Sequence, residues 1–359
     1  MSKKIKTVII FLITSLSLVY TLSNPIQTAY HAKKAVEMCI SSLVPSLFIF
    51  MVLSRMLSHL CSSCLSDMKF IRGLSQILNL PPTLIPMCIT GLFCGAPSGA
   101  FGISRIYGEG SCSKDEAERA CILANNCSAA FILSFISSVL GSRTAGLYIL
   151  ISNILATVFV YMIFFRKGKH KYTVQYTKSK EEDFGNMVTE SISSSITATV
   201  TMCGFVIFFY TLSSILCDNI SGIIGKESLS FFNAVISSLL EISTGILHIG
   251  NLDGTGSVVT AASAVAFMGI SMLLQTGEIM RKHKISTGNF YISKILCAIV
   301  SPIIAVIIML LSPEGIHVSA MTKKVPTVSV KDISYLLFAS AITLIGACLL
   351  THLDKKHKK

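Results

Sequence analysis

The residues best placed to do chemistry in this chain lie where long apolar runs are interrupted. The first group is Gly95-Ala96-Pro97-Ser98-Gly99-Ala100. Proline removes a backbone donor and ends a helix, while glycine permits close backbone approach and unusual dihedrals. At the tip of a hairpin the pattern would present a helix N-terminus, whose free N–H groups favour an anion. Close packing through small residues is the other reading, and the two are compatible. The second group is Glu118-Arg119 followed by Asn125-Asn126-Cys127-Ser128. Glu118 and Arg119 are expected at a membrane surface, with Asn125 and Asn126 a turn or two deeper in the same helix. Their amides need partners in an apolar setting, from another helix or from a polar ligand. The third group is Glu241-Ile242-Ser243-Thr244-Gly245. A carboxylate inside an apolar stretch is costly and marks a functional site by default; it would bind a cation or carry a proton. An interfacial segment with Glu241 facing water is the alternative, which the flanking Leu239, Leu240 and Ile242 disfavour. Gln275, with Ser271 one turn earlier, adds a further polar face.

The elements that position these residues are helices in lipid. The chain has 359 residues, 52% hydrophobic and 13% charged, whereas soluble domains carry about 25% charged residues. No Lys, Arg, Asp or Glu falls between Lys6 and Lys33, Arg119 and Arg143, Arg143 and Arg166, or Glu190 and Asp218. The same holds between Asp253 and Glu278, Lys294 and Glu314, and Asp332 and Asp354. A helix needs about 20 apolar residues to cross a hydrocarbon core of roughly 30 Å. Continuous rather than alternating hydrophobicity selects helices over a closed barrel. The expected fold is an all-α polytopic membrane protein, with the lipid bilayer as its surroundings.

The net charge of +12 collects beside these runs, at Lys3, Lys4 and Lys6; Arg166, Lys167, Lys169 and Lys171; Arg281, Lys282 and Lys284; and Lys355 to Lys359. That is a positive-inside distribution, and it puts both termini on the cytoplasmic side. A nucleic-acid surface would interleave basic residues with stacking aromatics on a soluble domain, so no nucleic-acid partner is expected. Most of the 12 cysteines, such as Cys39, Cys88, Cys121, Cys127, Cys203, Cys297 and Cys348, lie inside apolar runs, where a thiol acts as a small hydrophobe. Cys61 and Cys64 form a Cys-x-x-Cys without a second pair or a His at ligand spacing, so neither a metal nor a cofactor is expected. His248 and His283 are isolated. Without a Gly-x-Ser-x-Gly elbow, a phosphate loop or a His-Glu-x-x-His pattern, enzyme function is not expected. The run after Lys6 is span-length and lacks an Ala-x-Ala site, so it reads as a retained first helix.

Spans are expected at about 6–23, 36–58 (broken at Pro45), 120–140, 145–165, 194–217, 256–276, 289–312 and 333–351. Segment 73–104 holds Pro81, Pro82, Pro86 and Pro97 together with Gly91, Gly95, Gly99 and Gly102; a lipid-facing helix cannot be so broken. Reading it and 229–250 as re-entrant puts every large basic cluster inside, leaving loop 313–332 outside. Eight runs are thus candidate spans, and the fold expected is about seven spanning helices plus two re-entrant segments. The halves also resemble each other: Phe48–Leu57 is similar to Ile207–Leu216, Ala130–Ile136 to Ala266–Met272, and Tyr148–Ala156 to Tyr291–Ala298. Opposite helix directions make these inverted-topology repeats, each with a broken hairpin, and interrupted segments at matching positions point to a binding site. The expected organisation is an N-terminal transmembrane helix (1–30), a first repeat (31–165), a cytoplasmic linker (166–189), a second repeat (190–312), and a loop, last transmembrane helix and basic tail (313–359).

Gly91 to Ala100, Glu118-Arg119 and Asn125-Asn126-x-Ser128-x-x-Phe131 resemble the signature of the YlbJ-type sporulation integral membrane proteins. Glu241-Ile-Ser-Thr-Gly245 and Gly269-Ile-Ser-x-x-x-Gln275 are similar to that family's second-half motifs, and the resemblance covers about 36 to 310. The family belongs to the nucleoside recognition, or Gate, domain group. Ala96 and Ala129 stand where the family usually has Tyr and often has Pro. The resemblance implies transport of a small organic anion, dipicolinic acid, out of the mother cell toward the forespore, in the cell membrane or outer forespore membrane. Under it Gly95, Pro97, Ser98 and Gly99 would offer backbone donors. Asn125, Asn126, Ser128, Ser243, Thr244 and Gln275 would line the path, and Glu241 would engage a coupling cation or gate it. A nucleoside-type carrier and a non-transporting scaffold for spore cortex or coat assembly are the alternatives; the sequence leaves the oligomeric state open.

Overall fold

The computed structural model describes residues 3–64, 69–166, 184–220, 226–252 and 254–311, and every regular element among them is a helix. The expected last helix at 333–351, the loop 313–332 and most of the linker 166–189 lie outside the described residues, as do the side chains of Cys61 and Cys64.

Helices α1 (Lys3–Ser23) and α2 (Pro25–Met38) open the chain, with Pro25 in the first turn of α2, where a missing N–H costs nothing. A π turn, Cys39–Leu43, joins α2 to α3 (Val44–Cys64), and the axis bends by 55° between Leu43 and Leu47. Pro45 falls in that gap and accounts for the bend. Short helices follow: α4 (Lys69–Leu78), α5 (Ile85–Cys94), α6 (Ser98–Gly108) and α7 (Lys114–Ala124). After a π turn at Phe131–Ile136 come α8 (Ser137–Val139) and α9 (Arg143–Val160), the latter prolonged by a π turn to Phe165. The second half holds α10 (Phe184–Ile220), α11 (Lys226–Leu240), α12 (Ile242–Ile249), α13 (Gly254–Phe267), α14 (Gly269–Lys282) and α15 (Gly288–Leu311).

Among the described residues, four stretches are long and apolar enough to cross a membrane: Arg143–Phe165, Phe184–Asn219, Gly256–Lys282 and Gly288–Leu311; the bent pair of α2 and α3 makes a fifth if it is one span. Their polarity is reversed relative to a soluble bundle. On α9, Leu147, Ile151, Leu155 and Phe159 form an exposed stripe at helical spacing, while Ser152, Asn153 and Thr157 are buried. An apolar exterior around a polar-bearing interior suits lipid rather than water, and marks an integral membrane protein.

Three expectations change. The expected span 120–140 is not one helix: α7 ends at Ala124, and helical structure resumes only toward Phe131. Asn125 and Asn126 therefore sit in a break, because short amide side chains compete with the backbone for its carbonyls. The stretch 256–276 is interrupted too, at Met268, whose φ is 74°. Arg119, expected at a membrane surface, is buried against protein. Its Nε donates to Asp115 Oδ2 (2.9 Å) and its Nη1 to the Asn79 carbonyl (2.7 Å). The Tyr161 hydroxyl donates to the Leu78 carbonyl (2.7 Å) and Arg166 to that of Ile77 (2.7 Å). Together these groups serve the open carbonyls at the end of α4. Helix α10 also starts at Phe184 rather than near 194, taking in the end of the expected linker.

The interior is built on α9, α13 and α15, each packed on the other two, with α7 also against α15. Pro302 inside α15 cannot donate to the carbonyl of Ala298. The Ser263 hydroxyl of α13 donates to that carbonyl instead, at 2.9 Å, so a neighbouring helix meets the need that proline creates.

Candidate functional site

Four helix breaks meet in the interior: between α5 and α6, after α7, between α11 and α12, and between α13 and α14. Ala96 and Pro97 from the first, Asn126 and Ser128 from the second, Glu241 and Ser243 from the third and Met268 from the fourth line one pocket. The space within it, counting the part open to its surroundings, is ≈ 750 Å³. Leu47, Phe50 and Met51 of α3 and Met202 and Val206 of α10 complete an apolar wall, and Ser271 and Gln275 of α14 add polar groups.

Each break has a local cause. Gly95 has a φ of 81°, and a Cβ on it would lie 2.6 Å from the backbone nitrogen of Ser128. A Cβ at Gly91 or Gly99 would overlap the Ala124 carbonyl oxygen. These glycines let α5 and α6 close around the end of α7, which is the packing role. The amides expected to face an anion are largely engaged by protein. Gly95 N donates to Gly91 O (3.0 Å), Ala96 N to Asn126 O (2.7 Å) and Ser98 N to Gly95 O (3.1 Å). Ala100 N donates to Asn125 Oδ1 at 2.8 Å. Asn125 thus caps α6 across the break, while its own Nδ2 donates to Cys121 O at 2.8 Å.

Asn126 is a hub. Its Nδ2 donates to Leu123 O (2.7 Å), and its Oδ1 receives the Thr157 hydroxyl (2.8 Å) and the Lys294 ammonium (2.8 Å). At the third break Glu241 is extended (φ −148°) and 2% exposed. Its Oε1 accepts from Ser243 N (3.0 Å), and its Oε2 from Thr244 N (2.8 Å) and Oγ1 (2.9 Å). A carboxylate capping a helix N-terminus is electrostatically matched, which explains how Glu241 is tolerated at depth. At the fourth break Gly269 follows Met268 with a φ of 73°. A Cβ there would sit 3.2 Å from both Ile242 N and Ser238 O, so this break leans on the third.

Of the expected ligand residues, Pro97, Asn126, Ser128, Glu241, Ser243 and Gln275 line the pocket. Gly95, Ser98, Gly99, Asn125 and Thr244 stand behind its wall and hold the breaks in shape: Ser98 Oγ, for instance, donates to Gly95 O at 2.5 Å. Ser128 Oγ also accepts from Phe131 N (3.1 Å). The residue missed from sequence is Lys294, fully buried on α15. The expected span 289–312 already contained it, and the helix that starts at Gly288 bears this out, but no role was assigned to it from sequence. A lysine beyond the first turn of a span-length helix was the available signal.

A polar-edged, partly open pocket where four helix breaks meet, inside a bundle with an apolar exterior, belongs to a helical membrane protein. Compared with protein-family models, with curated proteins and with solved structures, the chain matches none.

Proposed function

We propose that this protein is a membrane carrier, either a secondary transporter or a passive permease, for a small organic anion. Dipicolinic acid, moved out of the mother cell toward the forespore during sporulation, is the preferred substrate. The observation that carries the carrier reading is the convergence of four helix breaks on one ≈ 750 Å³ pocket. Interrupted helices are how many carriers surround a solute within the membrane. A long helix, a broken pair, a broken helix and a long helix occur in order as α3, α5–α6, α7 with its π turn, and α9. The order returns as α10, α11–α12, α13–α14 and α15. This supports two inverted repeats, with 73–104 and 229–250 as their re-entrant pieces and the pocket between them. A mostly apolar wall with a few polar groups suits a flat ring carrying hydrogen-bonding substituents. The choice of dipicolinate rests on the sequence resemblance.

Glu241 in the wall would repel a bare dianion, so a coupling proton or cation is part of the proposal. A nucleoside-type carrier is the second reading, favoured by one observation: Glu241 is the one charged side chain among the described lining residues, and a carboxylate accepts well from sugar hydroxyls. Uptake of labelled dipicolinate by vesicles containing the purified chain tests the first reading. Competition by unlabelled dipicolinate supports it; competition by uridine or adenosine instead supports the second.

A further inference from the structure

Lys294 has no exposure, and among the described residues its Nζ has one hydrogen-bond acceptor, Asn126 Oδ1 at 2.8 Å. No carboxylate pairs with it there; the Phe290 ring centroid is 5.7 Å away, and the Cys297 and Cys127 thiols are also near it. Buried ammonium groups are ordinarily paired, because leaving the charge unmatched is costly. This one stands directly behind a residue of the pocket wall.

The contact fixes what Asn126 can do. An ammonium only donates, so the Asn126 atom that meets it must be the carbonyl oxygen. That oxygen also receives the Thr157 hydroxyl, which shares its proton with Asn153 O at 2.9 Å. With Oδ1 occupied from behind, Asn126 has one polar capacity left for a solute, the second proton on Nδ2, the first being given to Leu123 O. A cation on the carbonyl end polarises the amide and strengthens that donor.

We infer that Lys294 is a positioning residue for anion selection: its ammonium form, which an anionic solute nearby favours, acts through Asn126 to turn the pocket wall into a donor for a carboxylate oxygen and offsets the solute's negative charge. The inference deepens the organic-anion reading above and rests on its choice of pocket. It also goes beyond it, because it assigns selectivity to a residue outside the pocket wall.

The test compares pyridine-2,6-dicarboxylate with the uncharged pyridine-2,6-dicarboxamide on the purified full chain, by equilibrium binding in detergent and by uptake into vesicles. The wild-type chain is expected to bind the dicarboxylate more tightly. Lys294→Met should weaken dicarboxylate binding about ten-fold or more, the loss expected for one charge-assisted hydrogen bond. It should leave dicarboxamide binding within about two-fold, and Lys294→Arg should recover most of the preference. Retained dicarboxamide binding shows that the variant is folded. A wild-type chain without charge preference, or a Lys294→Met chain that keeps it, overturns the inference. Charge-dependent binding without uptake would instead sink the carrier reading and leave this inference standing.

Discussion

Removing the Asn126 side chain should expose how strongly the Lys294 charge depends on it. Asn126→Leu keeps the branched shape but deletes three hydrogen bonds, to Leu123 O, from Thr157 and from Lys294. Thr157 retains Asn153 O as an acceptor, so its loss is small. The Leu123 carbonyl loses one bond, worth about 1 kcal/mol, and the ammonium loses its acceptor, worth about 1.5–3 kcal/mol. The expected destabilisation is about 3 kcal/mol, read by detergent-denaturant titration of the purified chain. In a Lys294→Met background the ammonium term vanishes, so the same substitution should cost only about 1 kcal/mol. The cycle should therefore show a coupling of about 2 kcal/mol. Effects that add to within about 0.5 kcal/mol would refute the idea that Asn126 and Lys294 form one unit.

Other perturbations follow from single contacts. Glu241→Gln leaves one oxygen to serve three donors at the α12 N-terminus, so it should cost about 1 kcal/mol of stability. It should reduce vesicle uptake much more, and unchanged uptake would remove Glu241 from the transport path. Gly99→Val should cost about 3 kcal/mol, since its side chain would overlap the Ala124 carbonyl; normal yield and melting temperature would contradict that packing. Ser263→Ala should cost about 1 kcal/mol, and Pro302→Ala should remove much of that cost by restoring the α15 backbone bond to Ala298 O. Burial pushes the Cys112 thiol, in the loop between α6 and α7, up to about 12. It should stay protonated and label slowly with maleimide at pH 7.5, accelerating as pH rises toward that value; fast labelling at pH 7.5 would contradict that shift at this half-buried thiol.

Much of this arrangement can be read along the chain, for reasons that differ between residues. Pro97 and Glu241 announce themselves because a proline and a carboxylate each carry a local cost inside an apolar run, wherever the rest of the chain goes. The exposed stripe of α9 follows in the same way from uninterrupted hydrophobicity. Asn125 and Asn126 were visible as polar groups, but not as a break, because whether an amide bonds out of a helix or ends it depends on its neighbours. Gly91 and Gly99 bring those neighbours close enough for the end of α7 to be enclosed. Met268 carries no breaking chemistry of its own; its left-handed backbone belongs to the contact of Gly269 with Ser238 and Ile242. Arg119 is expected at a membrane surface, and Lys294 falls inside the expected span 289–312 without a role. Linear spacing gives their depth only when the docking of α4 on α7 and α9, and of α15 on α7 and α9, is known.

The most direct measurement for this protein is uptake of labelled dipicolinate, uridine and adenosine into sealed vesicles containing the purified full chain, alongside empty vesicles and vesicles with Asn126→Leu. An organic-anion carrier built on the pocket of Asn126 and Glu241 predicts saturable dipicolinate uptake that Asn126→Leu sharply reduces and the nucleosides do not inhibit. Uptake no faster than in empty vesicles for all three solutes would contradict it.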